Sequence, residues 1–246
     1  MTSMTNEELL ANACPLIGTL GAAFYFTPAT LGRGGALGLD FAQFYVMGRG
    51  GVLGDVEPVT VWSAFGYFNP AMVDATWNAG KAIMAPREAA REHFACAATH
   101  GREHYSGVAG IEAFVEAADA VVAAADPFGL SLFAGYSAEP RADDAPARAQ
   151  QLLTVLREYR GSAHLIALRA AGVDSKTAHF VKRPNDIGMF GWTAADAPQI
   201  TDATHAAMAE AERTTDKIVA PAFAVLDDAG RESLMTGLAG IAAAIG

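Results

Sequence analysis

Apolar positions recur every three or four residues along most of this chain, and no stretch alternates convincingly with the period of two that a half-buried strand requires. The pattern predicts an all-α protein. Thr5-Asn6-Glu7-Glu8 fits a capping box, which predicts a helix from near Thr5 to about Tyr25, before Pro28. Asn69-Pro70 combines a capping side chain with proline at the first helical position, a strong helix start. Further helices are expected from Pro86 to about Tyr105, from Ile111 to Ala125 and from about Ala147 to Ala171. Two more, Thr201 to Ala220 and Asp227 to Ile245, close the chain. In the helix from Ala147, residues Leu152, Leu156, Tyr159, Ala163, Ile166 and Ala170 form one stripe that reads as core packing. Pro58 to Phe65 is apolar and reads as buried. The stretch from Gly32 to Gly54 holds eight glycines, which predict tight turns and close backbone approach.

A faint repeat overlies these helices. Gly38-Leu39-Asp40 opens a short apolar segment that closes at Arg49, and Gly172-Val173-Asp174 opens another that closes at Arg183, 134 residues later in each case. Each follows a helical stretch and precedes an aromatic turn, Tyr67-Phe68-Asn69-Pro70 in one and Phe190-Gly191-Trp192-Thr193 in the other. Helix, glycine turn, short helix, turn, helix is the wiring of a helix-turn-helix unit. The expected architecture is therefore two degenerate, winged-helix-like lobes in one multi-helix domain. Glu139 to Pro146, charged and containing two prolines, places their boundary, giving an N-terminal lobe over 1–140 and a C-terminal lobe over 141–246.

Composition narrows the function classes. At 246 residues, with 52% hydrophobic and only 18% charged side chains, most of the chain is available for a core. The net charge of −10 opposes simple binding to phosphate backbones. From residue 151 onward, 9 Lys/Arg face 11 Asp/Glu, so that half carries only −2. Two cysteines, Cys14 and Cys96, make no disulfide framework and suit a reducing compartment. Glu7 and Glu8 stand where a secretory signal would carry Lys or Arg, and the apolar run from Ala13 to Phe26 is shorter than the roughly 20 residues a membrane span needs. A cytoplasmic protein without membrane contact is expected.

Several blocks carry a family resemblance. They are Leu156-Arg157-Glu158-Tyr159-Arg160-Gly161-Ser162-Ala163-His164, Ala170-Ala171-Gly172-Val173-Asp174, Gly191-Trp192-Thr193 and Glu212-Arg213-Thr214-Thr215-Asp216-Lys217. Gly48-Arg49-Gly50-Gly51-Val52-Leu53-Gly54 and Phe65-Gly66-Tyr67-Phe68-Asn69-Pro70-Ala71-Met72-Val73 belong with them. In this order they resemble an actinobacterial helix-turn-helix-like family with a MarR-like second half. The resemblance implies a fold more than a function. A winged helix needs a hairpin after its recognition helix, whereas only Trp192 to Ile200 follows here, without a hairpin pattern. The wing is expected to be reduced or absent.

Three groups of side chains could carry chemistry. Arg157, Arg160 and His164 fall at i, i+3 and i+7 beside the apolar stripe of their helix, where guanidinium forks could hold a carboxylate or phosphate. Arg49 offers the equivalent charge from the first lobe, and the aromatic residues around Tyr67 and Phe68, with nearby glycines, could receive a flat ligand. His93, Cys96, His100 and His104 lie within roughly an 80° arc of one helix face, and such groups can ligate a transition metal or haem iron. One helix rarely supplies four ligands, and no CxxC or HExxH pair supports them. The simpler reading is packed or hydrogen-bonded histidines. Ser175, Lys176, Thr177, His179, Lys182 and Arg183 have the chemistry of a DNA-reading helix, but their counterpart from Asp40 to Arg49 is apolar apart from Gln43, Tyr45 and Arg49.

The leading expectation is a small-molecule-binding or cofactor-binding protein with a cleft between two lobes. Its ligand would touch Arg49, Arg157, Arg160, His164, Tyr67 and Phe68. One alternative is a ligand-responsive regulator acting as a homodimer on DNA; the charge and the missing wing argue against it. Another is an enzyme of specialised metabolism using haem or a metal on the His93 helix.

Overall fold

The computed structural model describes residues 4–246, and among these it contains twelve α-helices, three short 3-10 turns and no strand. The helices are α1 (Asn6–Leu20), α2 (Pro28–Ala36), α3 (Phe41–Gly50), α4 (Pro58–Phe65), α5 (Pro70–Lys81), α6 (Pro86–Tyr105), α7 (Ile111–Ala124), α8 (Ser131–Ser137), α9 (Ala145–Ala170), α10 (Ser175–Lys182), α11 (Asp202–Phe223) and α12 (Asp228–Ile245). No helix among the described residues is long and apolar enough to cross a membrane. Where a wing would follow α10 there are only two 3-10 turns, Ile187–Phe190 and Ala194–Asp196.

Caps set most of these boundaries. Thr5 and Glu8 form the predicted capping box, and Asn69 accepts from the Ala71 N–H with Pro70 in the first turn of α5. The repeated units share their local devices. Gly38 and Gly172 both adopt a left-handed backbone, with φ of 82° and 74°, and Asp40 and Asp174 then cap α3 and α10. Their aromatic turns meet each other. The Asn69 N–H donates to the Phe190 carbonyl (2.8 Å), Asn69 Nδ2 donates to the Gly191 carbonyl (2.9 Å), and the Phe68 and Phe190 rings are 4.4 Å apart.

Helix α9 is the axis of the molecule. It packs against α1, α6, α7, α8 and α11, and sixteen of its 26 residues are buried. That burial revises the expected single stripe. Gln150, Gln151, Thr154, Glu158 and Ser162 are buried on its other sides, whereas Ile166 and Ala170 are exposed. A helix surrounded by neighbours needs partners for polar groups on every face. Gln150 donates to the Leu20 carbonyl (3.1 Å), so α9 helps satisfy the free end of α1, and the Thr154 hydroxyl lies between the Gln150 carbonyl of its own helix (2.9 Å) and the Gly21 carbonyl (3.2 Å). Helix α1 accordingly stops at Leu20 rather than Tyr25, and residues 21–26 turn across α9.

One further expectation holds at particular residues and another is corrected. The glycine-rich stretch is mostly helical, because Gly32, Gly34 and Gly35 lie inside α2 and Gly48 and Gly50 inside α3. Close approach is found at some of them: a side chain at Gly48 would strike His93, and one at Gly51, just after α3, the Pro86 carbonyl, whereas Gly32 and Gly35 face open space. Gly38 and Gly54 make the turns with positive φ. Helix α4 is half exposed; only Val61 and Phe65 are buried. The segment before α9 is pinned, with Glu139 buried against Arg87 and the Ala142 N–H donating to Gln151. The main core draws on helices from α1 to α12, and a smaller one joins the end of α9 to α10 and α11 through Leu168, Ala178 and Met208.

Candidate functional site

A cavity of about 1130 Å³ opens between α1, α3, α9, the two aromatic turns, the end of α10 and α11. Arg49, Arg157, Arg160, His164, Tyr67 and Phe68 all contribute to its wall. The two repeated segments also meet there, α3 through Phe41, Ala42, Tyr45, Val46 and Arg49, and the α10 end through Lys182 and Arg183.

The deepest charges form a closed pair. Arg49 Nε and Nη2 donate to the two Glu158 oxygens at 3.0 and 2.8 Å, while Nη1 donates to the Tyr45 hydroxyl at 2.9 Å. The Tyr25 hydroxyl adds a bond to Glu158 (3.2 Å). Burial alone would raise the Glu158 carboxyl, but the charge and hydrogen bonds of Arg49 hold it below the usual range. Burial likewise opposes the Arg49 charge, and Glu158 more than compensates. Arg49 is therefore engaged within the protein, and the bidentate fork the sequence offered to a ligand holds Glu158 instead.

Arg160 is also paired, to Glu212 (2.8 Å) and Asp216 (3.1 Å), and Glu212 further binds Lys182. Burial would raise the Glu212 carboxyl, yet the hydrogen bonds from Lys182 and Arg160 bring it down to about 2. Arg157 differs from both. It lies across the Tyr25 ring at 5.7 Å and its Nη1 donates to the Gly18 carbonyl at 2.5 Å, with no ion pair to a carboxylate among the described residues; its buried Nε, like that of Arg160, has no acceptor.

His164 joins a directional chain. Thr215, fully buried on α11, donates its hydroxyl proton to the Ala211 carbonyl (2.7 Å). It can then only accept from His164 Nδ1 (2.8 Å), so the imidazole proton sits there and Nε2 accepts from the Tyr67 hydroxyl (3.1 Å). Burial lowers the His164 imidazole to about 4 and raises the Tyr67 phenol well above its ordinary value. Proton transfer from Tyr67 to His164 is thus disfavoured, and the chain orients groups rather than serving as a base. Tyr67 is fixed through its backbone too: its N–H donates to Ser175 Oγ (2.9 Å) and its carbonyl accepts from Trp192 Nε1 (2.7 Å). These bonds hold a φ of 59°, which side chains seldom adopt.

The His93 face does not assemble as a ligand set. No group of three or more His, Cys, Asp or Glu residues among the described residues is arranged to hold a metal. His93 is packed among Phe24, Tyr25 and Phe44 with both ring nitrogens unbonded, and burial lowers it to about 3. Two helical turns, about 10 Å, separate it from His100. Cys96 and His100 border a small separate cleft of about 230 Å³, and the His100 ring lies tilted against that of the exposed His104, with centroids 4.4 Å apart. The arc faces the core at one end and solvent at the other.

Several polar residues at α10 have partners within the protein, although Lys182 and Arg183 remain exposed. Ser175 serves Tyr67, His179 is fully buried beside Phe190, Lys182 binds Glu212, and Arg183 pairs with Asp186 (3.6 Å) over the Phe190 ring. Sequence reasoning did not single out Glu158 or Thr215, and it offered Tyr25 only as one of the aromatic residues that could line a pocket. A carboxylate between Val155 and Ser162 on one helical face was the available signal, since a buried Glu requires a partner.

This is a helical protein with two capped repeat units and a cavity lined by both. A profile of a helix-turn-helix family matches residues 12–246, and the chain belongs to that family. No curated protein and no solved structure matches it.

Proposed function

We propose that this helix-turn-helix family member binds a small molecule in the cavity between its two halves, 1–140 and 141–246. The observation that carries the reading is Arg157, a guanidinium on the wall of an approximately 1130 Å³ cavity with no carboxylate of its own. Mostly apolar walls with a few convergent polar groups are the usual composition of a ligand site. Gly18 and Gly161 support it. Each lies inside a helix on the cavity wall, and a Cβ added at either position would have nothing within 4 Å, so neither is glycine for the sake of packing.

A thermal-shift screen of small molecules against the native chain and Gly161→Trp tests this. Compounds that stabilise the native protein should lose their effect in the variant, whose indole would fill open cavity space. Shifts that survive unchanged would place binding elsewhere.

A second reading, a DNA-binding regulator, is favoured by the family and by Lys176, Lys182 and Arg183 on or beside α10. The ion pairs of Lys182 with Glu212 and of Arg183 with Asp186 weigh against it. Nanomolar, salt-sensitive binding to the upstream duplex, lost in Lys182→Ala/Arg183→Ala, would make it the better reading.

A further inference from the structure

The cavity wall specifies more than an unnamed small molecule. Five cationic side chains border it, Arg49, Arg157, Arg160, Lys182 and Arg183, against the four carboxylates Glu158, Asp186, Glu212 and Asp216. Each carboxylate already holds a cation other than Arg157: Glu158 binds Arg49, Glu212 binds Arg160 and Lys182, Asp216 binds Arg160, and Asp186 binds Arg183. One positive charge is left over, and it is at Arg157. Its Nη1 donates to the Gly18 carbonyl and no carboxylate among the described residues forms an ion pair with it, so an anion entering the cavity can meet its guanidinium without displacing a partner.

At the other end the hydrogen-bond direction is fixed. Thr215 donates to Ala211, His164 Nδ1 to Thr215, and Tyr67 to His164 Nε2. The Tyr67 oxygen has no proton left and can only accept. A ligand group meeting it must bring a hydroxyl or N–H.

Between these poles the helix surface is bare. Arg157, Gly161 and His164 fall at i, i+4 and i+7 on one face of α9, two turns and about 10 Å from end to end. Gly161 lines the cavity with open space above it, and the aromatic residues Tyr45, Phe65 and Phe68 form part of the surrounding wall.

We propose that the cavity takes a monoanion with an elongated apolar body and a hydroxyl or N–H donor at the end remote from its acid. The body lies over Gly161, the acid meets Arg157 and the donor meets the Tyr67 oxygen. This rests on the small-molecule reading and deepens it.

Calorimetry on the full chain with four rigid probes tests it. They are 4′-hydroxybiphenyl-4-carboxylate, biphenyl-4-carboxylate, 4′-methoxybiphenyl-4-carboxylate and 4-hydroxybiphenyl. The hydroxy acid should bind tightest, and loss of either the acid or the donor should weaken binding at least tenfold. Arg157→Gln should erase the advantage of the acid alone, Tyr67→Phe that of the donor alone, and Gly161→Phe should abolish binding. The ranking of probes on the native chain needs no variant, so a misfolded substitution does not remove the test. A methoxy or unsubstituted acid that binds as tightly as the hydroxy acid overturns the proposal, and so does an equally tight neutral phenol. Equal binding of all four, abolished by Gly161→Phe, overturns it while leaving the cavity a ligand site. Binding by none overturns it as well, and an empty compound screen would then remove the small-molecule reading too.

Discussion

Arg49 and Glu158, 109 residues apart in the chain, form a bidentate ion pair with both side chains almost wholly buried. The pair joins the end of α3 to the middle of α9, the first repeated unit to the central helix.

Breaking it from one side should be severe. Arg49→Met would leave the buried Glu158 carboxylate with the Tyr25 hydroxyl and the charge of Arg157, which forms no ion pair with it, at a cost of about 3–5 kcal/mol. Arg49→Met/Glu158→Met should recover most of that loss, because two apolar side chains leave no stranded charge. Urea unfolding of the single and double variants measures both. A double variant no more stable than the single one would show that the pair has a role beyond charge compensation.

Buried histidines should make the protein acid-sensitive. His93 is held down to about 3 by burial, aided by the charge of Arg49, while burial brings His164 and His100 to about 4. An unfolded imidazole takes its proton near pH 6.5, so below that value the unfolded chain binds protons the folded one refuses. Stability is therefore complete above about 6.5 and declines as pH falls toward the folded values. Between pH 7.5 and 5 the fully buried His93 contributes about 2 kcal/mol of loss, and the better-solvated His164 and His100 contribute less. His93→Phe, which leaves no ring nitrogen to protonate or satisfy, should flatten this decline. Guanidinium unfolding at the two pH values checks it, and an unchanged decline would mean that His93 opens to water in the native state.

The cavity glycines carry a stability cost that substitution should reveal. Gly161→Ala should stabilise the fold by about 0.5–1 kcal/mol, since the site is mid-helix and a Cβ there meets nothing. Gly18→Ala should act in the same direction. Gly21→Ala should do the opposite, because its Cβ would lie 2.5 Å from the Leu153 carbonyl oxygen. Melting temperatures of the three variants give the ordering directly.

Duplex DNA should bind weakly. The cationic residues at the end of α10 already face Glu212 and Asp186, and the chain carries −10 overall. Few phosphates can be neutralised, so affinity at physiological salt should stay micromolar or weaker. Fluorescence anisotropy at two salt concentrations measures this.

Local sequence determined the helices of this protein. Thr5, Asp40, Asn69, Asp174 and Thr201 cap them through bonds to residues two or three positions away, and such short-range devices can be read without knowing the fold. The repeat was legible for the same reason, since each copy needs a left-handed glycine and an aspartate cap in fixed register. Tertiary structure alone decided the environment of each functional side chain. Arg49, Arg157 and Arg160 look alike in the sequence, yet the first is neutralised by Glu158, the third by α11, and only Arg157 reaches the cavity without a carboxylate. The polarity of Tyr67 likewise depends on His164 and Thr215, 97 residues along the chain and then 51 more. The physical reason is range: a cap needs one turn of helix, whereas charge compensation and hydrogen-bond direction depend on which distant segments packing brings into contact.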